Sequence, residues 1–148
     1  MSHVGKETLL QRAVKSVAAT RAMDVWILFP SGLGINRLLK RDGQISESHT
    51  RWLDRVFGTQ EWYDSFYERK TVNGLFGQEE RTTKTCSIES IVHYYIKRMK
   101  TIFAQVADIP RPLCNSVGSP LFHFCFAVGN VKGAPVAMRI AKHILETR

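Results

Sequence analysis

The sequence predicts an α/β fold, and two observations carry that reading. An amphipathic stretch, residues 6–20, runs directly into the unbroken apolar run Val25 to Phe29, and a second strand-like run, Leu121 to Val128, leads through a glycine-bearing turn into another amphipathic stretch. In the first stretch Leu9, Leu10, Ala13, Val14 and Val17 share a stripe, while Lys6, Gln11, Arg12 and Lys15 face away. Val25 to Phe29 lacks polar alternation, so both of its faces are expected to be covered, as in a parallel sheet between helices. Residues 31–85 read as an insertion. Short helices over 31–70 are separated by Gly43 and Gly58, with Ser48 and Thr59 as N-caps, and 71–85 form a polar loop with Leu75 and Phe76 at a tip able to dock or clamp. A long helix is expected over 87–107, ending before Pro110. Residues 111–117 and 121–128 read as an antiparallel pair joined by Gly118-Ser119-Pro120. The last helix runs from about Ala134 to Leu145, with Pro135 in its first turn, and lays Val136, Ile140, Ala141, Ile144 and Leu145 on the sheet.

Composition narrows the class. The 148 residues are 44% apolar and include three Trp, four Tyr and eight Phe, enough to offset the entropy of ordering one domain. No apolar stretch has the length of a membrane span, and Met1 to Leu10 hold no apolar leader segment, so the expected compartment is the cytoplasm. Cys86, Cys114 and Cys125 are odd in number and lack C-x-x-C spacing, as free thiols of a reducing compartment would. The net charge of +8 is thinly spread, with an excess of two over 1–30, one over 31–70, two over 71–111 and three over 112–148. Only a folded patch, not a basic tail, is left to bind phosphate.

Ligands of open α/β sheets bind beyond the carboxyl ends of strands, which directs attention to PSGLGINR after the first strand and GNVKGA after the last. Gly32, Gly34, Gly129 and Gly133 would let a ligand approach the backbone there, although such glycines also arise for steric reasons alone. Ser31, Gly32, Asn36, Arg37, Asn130 and Lys132 are the crevice candidates. Neither turn matches a dinucleotide fingerprint or a phosphate-binding P-loop. His123, Cys125 and Cys114 invite a metal, but no second His or Cys pair completes four ligands, so no metal is expected. His49 and His93 have no partner at useful spacing, and no catalytic residue can be assigned. Arg37, Lys40, Arg41, Arg51 and Arg55, interleaved with Trp52, Trp62, Tyr63 and Tyr67, are the residues a nucleic-acid surface would use. The aromatic spacing equally describes the core of a helical subdomain.

The stretches RAMDVWILFPSGLGINRLLKRDGQI, RWLDRVFGTQEWYDSFYER and LFHFCFAVGNVKGAPVAMRIAKHIL resemble the C-terminal half of the three-Cys-motif partner protein (TcmP) family, over about Thr8 to Leu145. Val131 departs from the family, where proline is expected before Lys-Gly. The resemblance implies the C-terminal half of a Rossmann-like, methyltransferase-type sheet, with Val25 to Phe29 as its fifth strand, 111–117 and 121–128 as the antiparallel sixth and seventh, and 31–85 as a helical insertion over the crevice. The turn that binds S-adenosylmethionine in full-length relatives, and a later acidic-proline motif, have no counterpart among these residues. The chain is therefore expected to bind no cofactor alone, S-adenosylmethionine requiring an N-terminal half outside this sequence. The implied partners are a three-Cys-motif radical-SAM-like protein and a homo- or hetero-oligomer paired through the edge of Val25 to Phe29. The family's name refers to cysteines of its partner, not to Cys86, Cys114 or Cys125. The leading expectation is a non-catalytic half of a methyltransferase-like protein, and the alternative is a nucleic-acid-binding module using the basic insertion.

Overall fold

The computed structural model describes residues 9–147, so Lys6, expected on the outer face of the first helix, lies outside the described residues. The elements are α1 (Leu9–Thr20), β1 (Asp24–Phe29), a π-helical turn (Ser31–Asn36), α2 (Glu47–Phe57), α3 (Trp62–Phe66), β2 (Tyr67–Gly74), β3 (Gly77–Lys84), α4 (Ile88–Met99), β4 (Gln105–Val106), β5 (Arg111–Cys114), β6 (Pro120–Val128) and α5 (Ala134–Glu146). They fall into two compact units, one of residues 9–29, 96–111 and 124–147, the other of 30–95 and 112–123. The chain is thus a mixed α/β protein.

In the first unit the strand order is β1-β6-β4. Val106 pairs with Ala127 and Gln105 with Val128 in antiparallel register. The direction of β1 follows from two contacts: the Gly129 amide donates to the Met23 carbonyl at 3.0 Å, and the Trp26 ring lies on Phe126 and Phe124, with centroids 4.4 and 4.8 Å away. Moving forward along β1 therefore means moving backward along β6. The parallel neighbour expected for Val25 to Phe29 is not found among the described strands. On one face of β6, Phe126 and Val128 join Ala107 and the α5 residues Ala134, Ala141 and Leu145 in a buried cluster, with Phe124, Ala137 and Met138 packed against it.

Two expectations for this unit need correction. Trp26 and Leu28 share the α5 side of the sheet, yet remain 38% and 51% exposed, so the unbroken apolar run is not covered on both faces. On α5, Ala141 and Leu145 do meet the sheet, whereas Val136, Ile140 and Ile144 form a half-exposed stripe. The predicted long helix over 87–107 also ends early, at Met99. There the Phe103 amide turns back to the Met99 carbonyl, and the Ala104 and Ala107 amides donate to Val128 and Phe126 of β6 at 3.0 and 2.9 Å. Sheet pairing wins over helical propensity in that segment.

The second unit has an aromatic core. Leu53, Phe57, Trp62 and Phe66 are fully buried, with Phe57 and Phe66 edge-on to Tyr94 at 5.3 and 5.2 Å, which settles these aromatics as core. The Trp62 Nε1 donates to Asp54 Oδ1 at 2.7 Å, so the one polar atom of this buried ring is satisfied. The α2 cap is Ser46, not Ser48: its hydroxyl accepts from the His49 amide at 3.3 Å, and the helix ends at Gly58 with φ of 67°. Thr59 accepts from the Glu61 amide ahead of α3.

The helical reading of Tyr67 to Lys70 and the loop reading of 71–85 are both overturned. β2 and β3 form an antiparallel hairpin in register from Tyr67 opposite Lys84 to Gly74 opposite Gly77. Thr71, Val72, Thr82 and Thr83 suit a pleated ribbon, and Gly77, at φ of 128°, supplies the backbone that closes a two-residue turn. β5 pairs with β6 across 115–119, a connection too short for anything but antiparallel pairing; the Asn115 side chain there accepts from the Val117 and Ser119 amides.

Phe57→Ala removes a ring buried to 1% exposure and leaves a cavity among Trp62, Phe66 and Tyr94. The expected loss is about 3–5 kcal/mol, read as a lowered midpoint in urea unfolding, whereas Phe76→Ala at an exposed position leaves the midpoint within error.

Candidate functional site

The crevice candidates divide between the units. Asn130 and Lys132 lie in the first, on the loop after β6, where Asn130 Oδ1 accepts from the Lys132 amide at 3.0 Å and shapes the turn. Gly129 is there for close approach: a Cβ would stand 2.5 Å from the Met23 carbonyl oxygen. Ser31, Gly32, Asn36 and Arg37 belong to the second unit.

The turn after β1 is held from within. The Gly34 and Ile35 amides both donate to the Pro30 carbonyl, the second of these being the wide i to i+5 bond of a π-turn, a form often met at functional positions. Gly32 meets the start of β6 so closely that a Cβ would collide with the Pro120 carbonyl oxygen. The space expected for a ligand is therefore filled by backbone. Ser31, fully buried, shares a 2.7 Å hydrogen bond between its Oγ and His123 Nδ1. With Nε2 carrying the proton, the hydroxyl donates. Burial holds the imidazole below its ordinary value, against the opposing pull of the Glu89 carboxylate. A serine beside a neutral histidine has the components of a nucleophile and its base, but a serine without solvent access reaches no substrate. The pair is a buried polar tie.

Asn36 is engaged as well. Lys84 Nζ donates to its Oδ1 at 2.6 Å and to its carbonyl at 3.2 Å, and burial, more than Arg41 nearby, lowers the Lys84 ammonium from its usual range. These bonds fasten the end of β3 to the π-turn.

What the fold does open is a cleft of about 690 Å³ between the 41–44 loop and β3, lined by Arg41, Asp42, Gly43, Gln44, Tyr63 and Glu80 to Thr83. Its wall is fixed by a stacked pair: the Tyr63 and Tyr67 rings lie 4.6 Å apart, their hydroxyls donating to the Gly43 and Lys40 carbonyls at 3.0 and 2.8 Å. Burial foremost raises the Tyr67 phenol, which stays neutral. Asp42 accepts from the Gln44 amide. The Arg41 and Arg81 guanidiniums are exposed and carry no hydrogen bond or ion pair to the described residues.

Of the basic candidates, Arg41 lies in this cleft, Arg37 and Lys40 are exposed on the segment leading into it, Arg51 pairs with Glu47 at 3.5 Å on α2, and Arg55 is half-buried. Sequence reasoning missed Arg81, Thr82 and Thr83. The alternation of β-branched residues across Gly-Leu-Phe-Gly was the available signal.

All three cysteines are thiols: Cys114 is exposed, Cys86 half-buried and raised chiefly by burial, and Cys125 buried and pushed up to about 12. Among the described residues no helix is long and apolar enough to cross a membrane. Compared with known proteins, the chain matches no family model, no curated protein and no solved structure.

Lowering the folded-state pKa of His123 means that the unfolded chain binds the proton more readily, so stability rises with pH. The contribution is complete above the ordinary value of 6.5 and is lost as the pH falls from there through the lowered folded value. Urea unfolding at pH 7.5 and 5.5 is expected to show this loss, and His123→Gln to flatten the dependence.

Proposed function

We propose that this chain is one half of a Rossmann-like, methyltransferase-type assembly and has no S-adenosylmethionine site of its own. The carrying observation is β1: it is the terminal strand of its sheet among the described residues, and its Trp26 and Leu28 face is half-open to water. An apolar end strand with an unpaired edge invites another strand, and natural sheets ordinarily blunt such edges with charge, proline or a bulge. The antiparallel relation of β6 to β1 and the pairing of β5 with β6 support this reading, in which β1, β5 and β6 stand for the fifth, sixth and seventh strands that the TcmP resemblance implies. In this reading the first four strands and the cofactor turn reside on a complementary polypeptide segment that pairs along β1. A three-Cys-motif radical-SAM-like protein is the further partner of the assembled pair.

Light scattering after size exclusion is expected to give species heavier than the 16.9 kDa monomer, and Trp26→Lys with Leu28→Lys to shift the chain toward monomer without loss of helix. Calorimetric titration of the chain alone with S-adenosylmethionine is expected to show no heat of binding. A stable wild-type monomer, or tight binding of S-adenosylmethionine by this chain alone, overturns the proposal.

A second reading rests on the unpaired Arg41 and Arg81 in the cleft. Two guanidiniums beside Thr82, Thr83 and the Tyr63 ring suit the phosphates and bases of a single strand. A labelled single-stranded 20-mer is expected to bind at 50 mM salt and release at 200 mM. Arg41→Ala with Arg81→Ala weakens it by about tenfold and flattens the salt slope by one to two. Arg37→Ala with Lys40→Ala acts in the same direction more weakly. Absence of retention at low salt rejects this reading.

A further inference from the structure

The hydrogen bond that orients β1 also sorts its backbone groups. The Gly129 amide donates to the Met23 carbonyl, so Met23 turns toward β6, and the alternate residues Val25 and Ile27 do the same. Asp24, Trp26 and Leu28 therefore point their N–H and C=O groups outward, where no described strand meets them. A free row of this kind is a template for one more extended backbone. The Trp26 and Leu28 side chains, half-exposed on the α5 side, would be covered by the same added strand.

Charge, register and closure say which strand fits. Val25 to Phe29 carry no charge, proline or bulge of the kind that keeps an edge from meeting its own copy. β3 laid antiparallel on itself would set Glu79, Glu80 or Arg81 against the same residue of the second copy. β1 meets no such conflict. With Trp26 opposite Trp26, Val25 faces Ile27. The lone charge, Asp24, then falls beside Leu28 at the end of the pair, about 14 Å along the strand from the other Asp24. Only this register uses all of the outward residues. Sliding by two residues one way sets Asp24 opposite Pro30, which has no N–H. Sliding the other way sets Leu28 opposite Ala22, whose amide already goes to the Thr20 hydroxyl at 3.3 Å. Each copy has a single β1, so a twofold axis through the Trp26 pair closes the assembly, whereas pairing β1 with a different strand leaves one β1 edge open. All of these groups belong to the first unit.

We infer that β1 of one copy pairs antiparallel with β1 of a second copy, Trp26 opposite Trp26, so that the two sheets become one. The inference rests on the reading of β1 as an open edge, and names the strand that covers this edge when the complementary segment is absent.

Oxidative cross-linking of the intact chain, with Cys86→Ser and Cys114→Ser as background, tests the register. Asp24→Cys and Leu28→Cys chains, mixed, are expected to form a disulfide-linked dimer, because the two positions then lie about 5.5 Å apart between Cα atoms. Either chain alone, its two thiols about 14 Å apart, is expected to give less than about a tenth of that yield. Absence of the mixed dimer, or an equal yield from Leu28→Cys alone, overturns the inference. Amide exchange of the unsubstituted chain is a second check. Trp26 and Leu28 are expected to exchange at least about tenfold faster after about hundredfold dilution, while Val25 and Ile27, bonded to β6, do not change. Fast exchange of Trp26 and Leu28 at every concentration overturns the inference as well. A heavier species that Trp26→Lys with Leu28→Lys disperses, but that forms no mixed disulfide, overturns this dimer and leaves the open edge standing; a monomer overturns both.

Discussion

Strand β6 lies between β1 and β4 and also pairs with β5, and both units draw on it, the first through residues 124–128 and the second through 120–123. Its alternation does two jobs. Phe124, Phe126 and Val128 point toward α5, while His123, Cys125 and Ala127 point the other way and are buried there. A one-residue slip would exchange these two sets and put an imidazole where phenyl rings are needed. Two backbone contacts fix the register at its ends: the Pro120 carbonyl fits only against a glycine at position 32, and Gly129 passes the Met23 carbonyl with no room for a side chain. The buried Ser31–His123 hydrogen bond secures the same register with polar groups, each of which would cost about 1–3 kcal/mol if left unpaired.

Much of the architecture was legible in the sequence because periodicity and capping chemistry are local. The stripes of α2 and α3, the Pro135 start of α5, the 111–128 hairpin and the existence of β1 all follow from residues within one or two turns of each other. The failures share a cause. Residues 100–107 carry a helical stripe, yet the Ala104 and Ala107 amides pair with Val128 and Phe126 of a strand distant in sequence. Tyr67 to Lys70 continue the amphipathic pattern of α3, but cross-strand partners in 77–84 claim their backbone. At the candidate site, the glycines of the two turns drew attention as ligand contacts, and their actual neighbours are carbonyls from distant segments. The Arg41–Arg81 cleft was half legible: Arg41 stood out by its charge, whereas Arg81 enters only through the hairpin register.

The two units handle polarity differently. In the second unit, polar groups near the core are individually matched: Trp62 with Asp54, Ser31 with His123, Lys84 with Asn36, and the tyrosine hydroxyls with loop carbonyls. That economy makes the unpaired guanidiniums of the cleft and the bare Leu75–Phe76 tip stand apart from their surroundings. In the first unit the surplus is apolar, on the open face of β1 and the outer stripe of α5. Both departures concern surfaces, and both point outward to binding rather than inward to stability.

The pairing of β1 with β6 joins segments roughly a hundred residues apart. During synthesis the apolar strand Val25 to Phe29 emerges well ahead of β6 and must wait for it before its backbone finds that partner. The hairpin and the α2–α3 aromatic cluster, built from near neighbours, can close in the meantime. The contacts of β1 with β6 close a long loop of chain, whereas those of the hairpin and the aromatic cluster close short ones. A nascent chain of this kind carries the five-residue apolar run Val25 to Phe29 without its β6 partner until that strand is made, which makes the pace of elongation part of how the native sheet is reached.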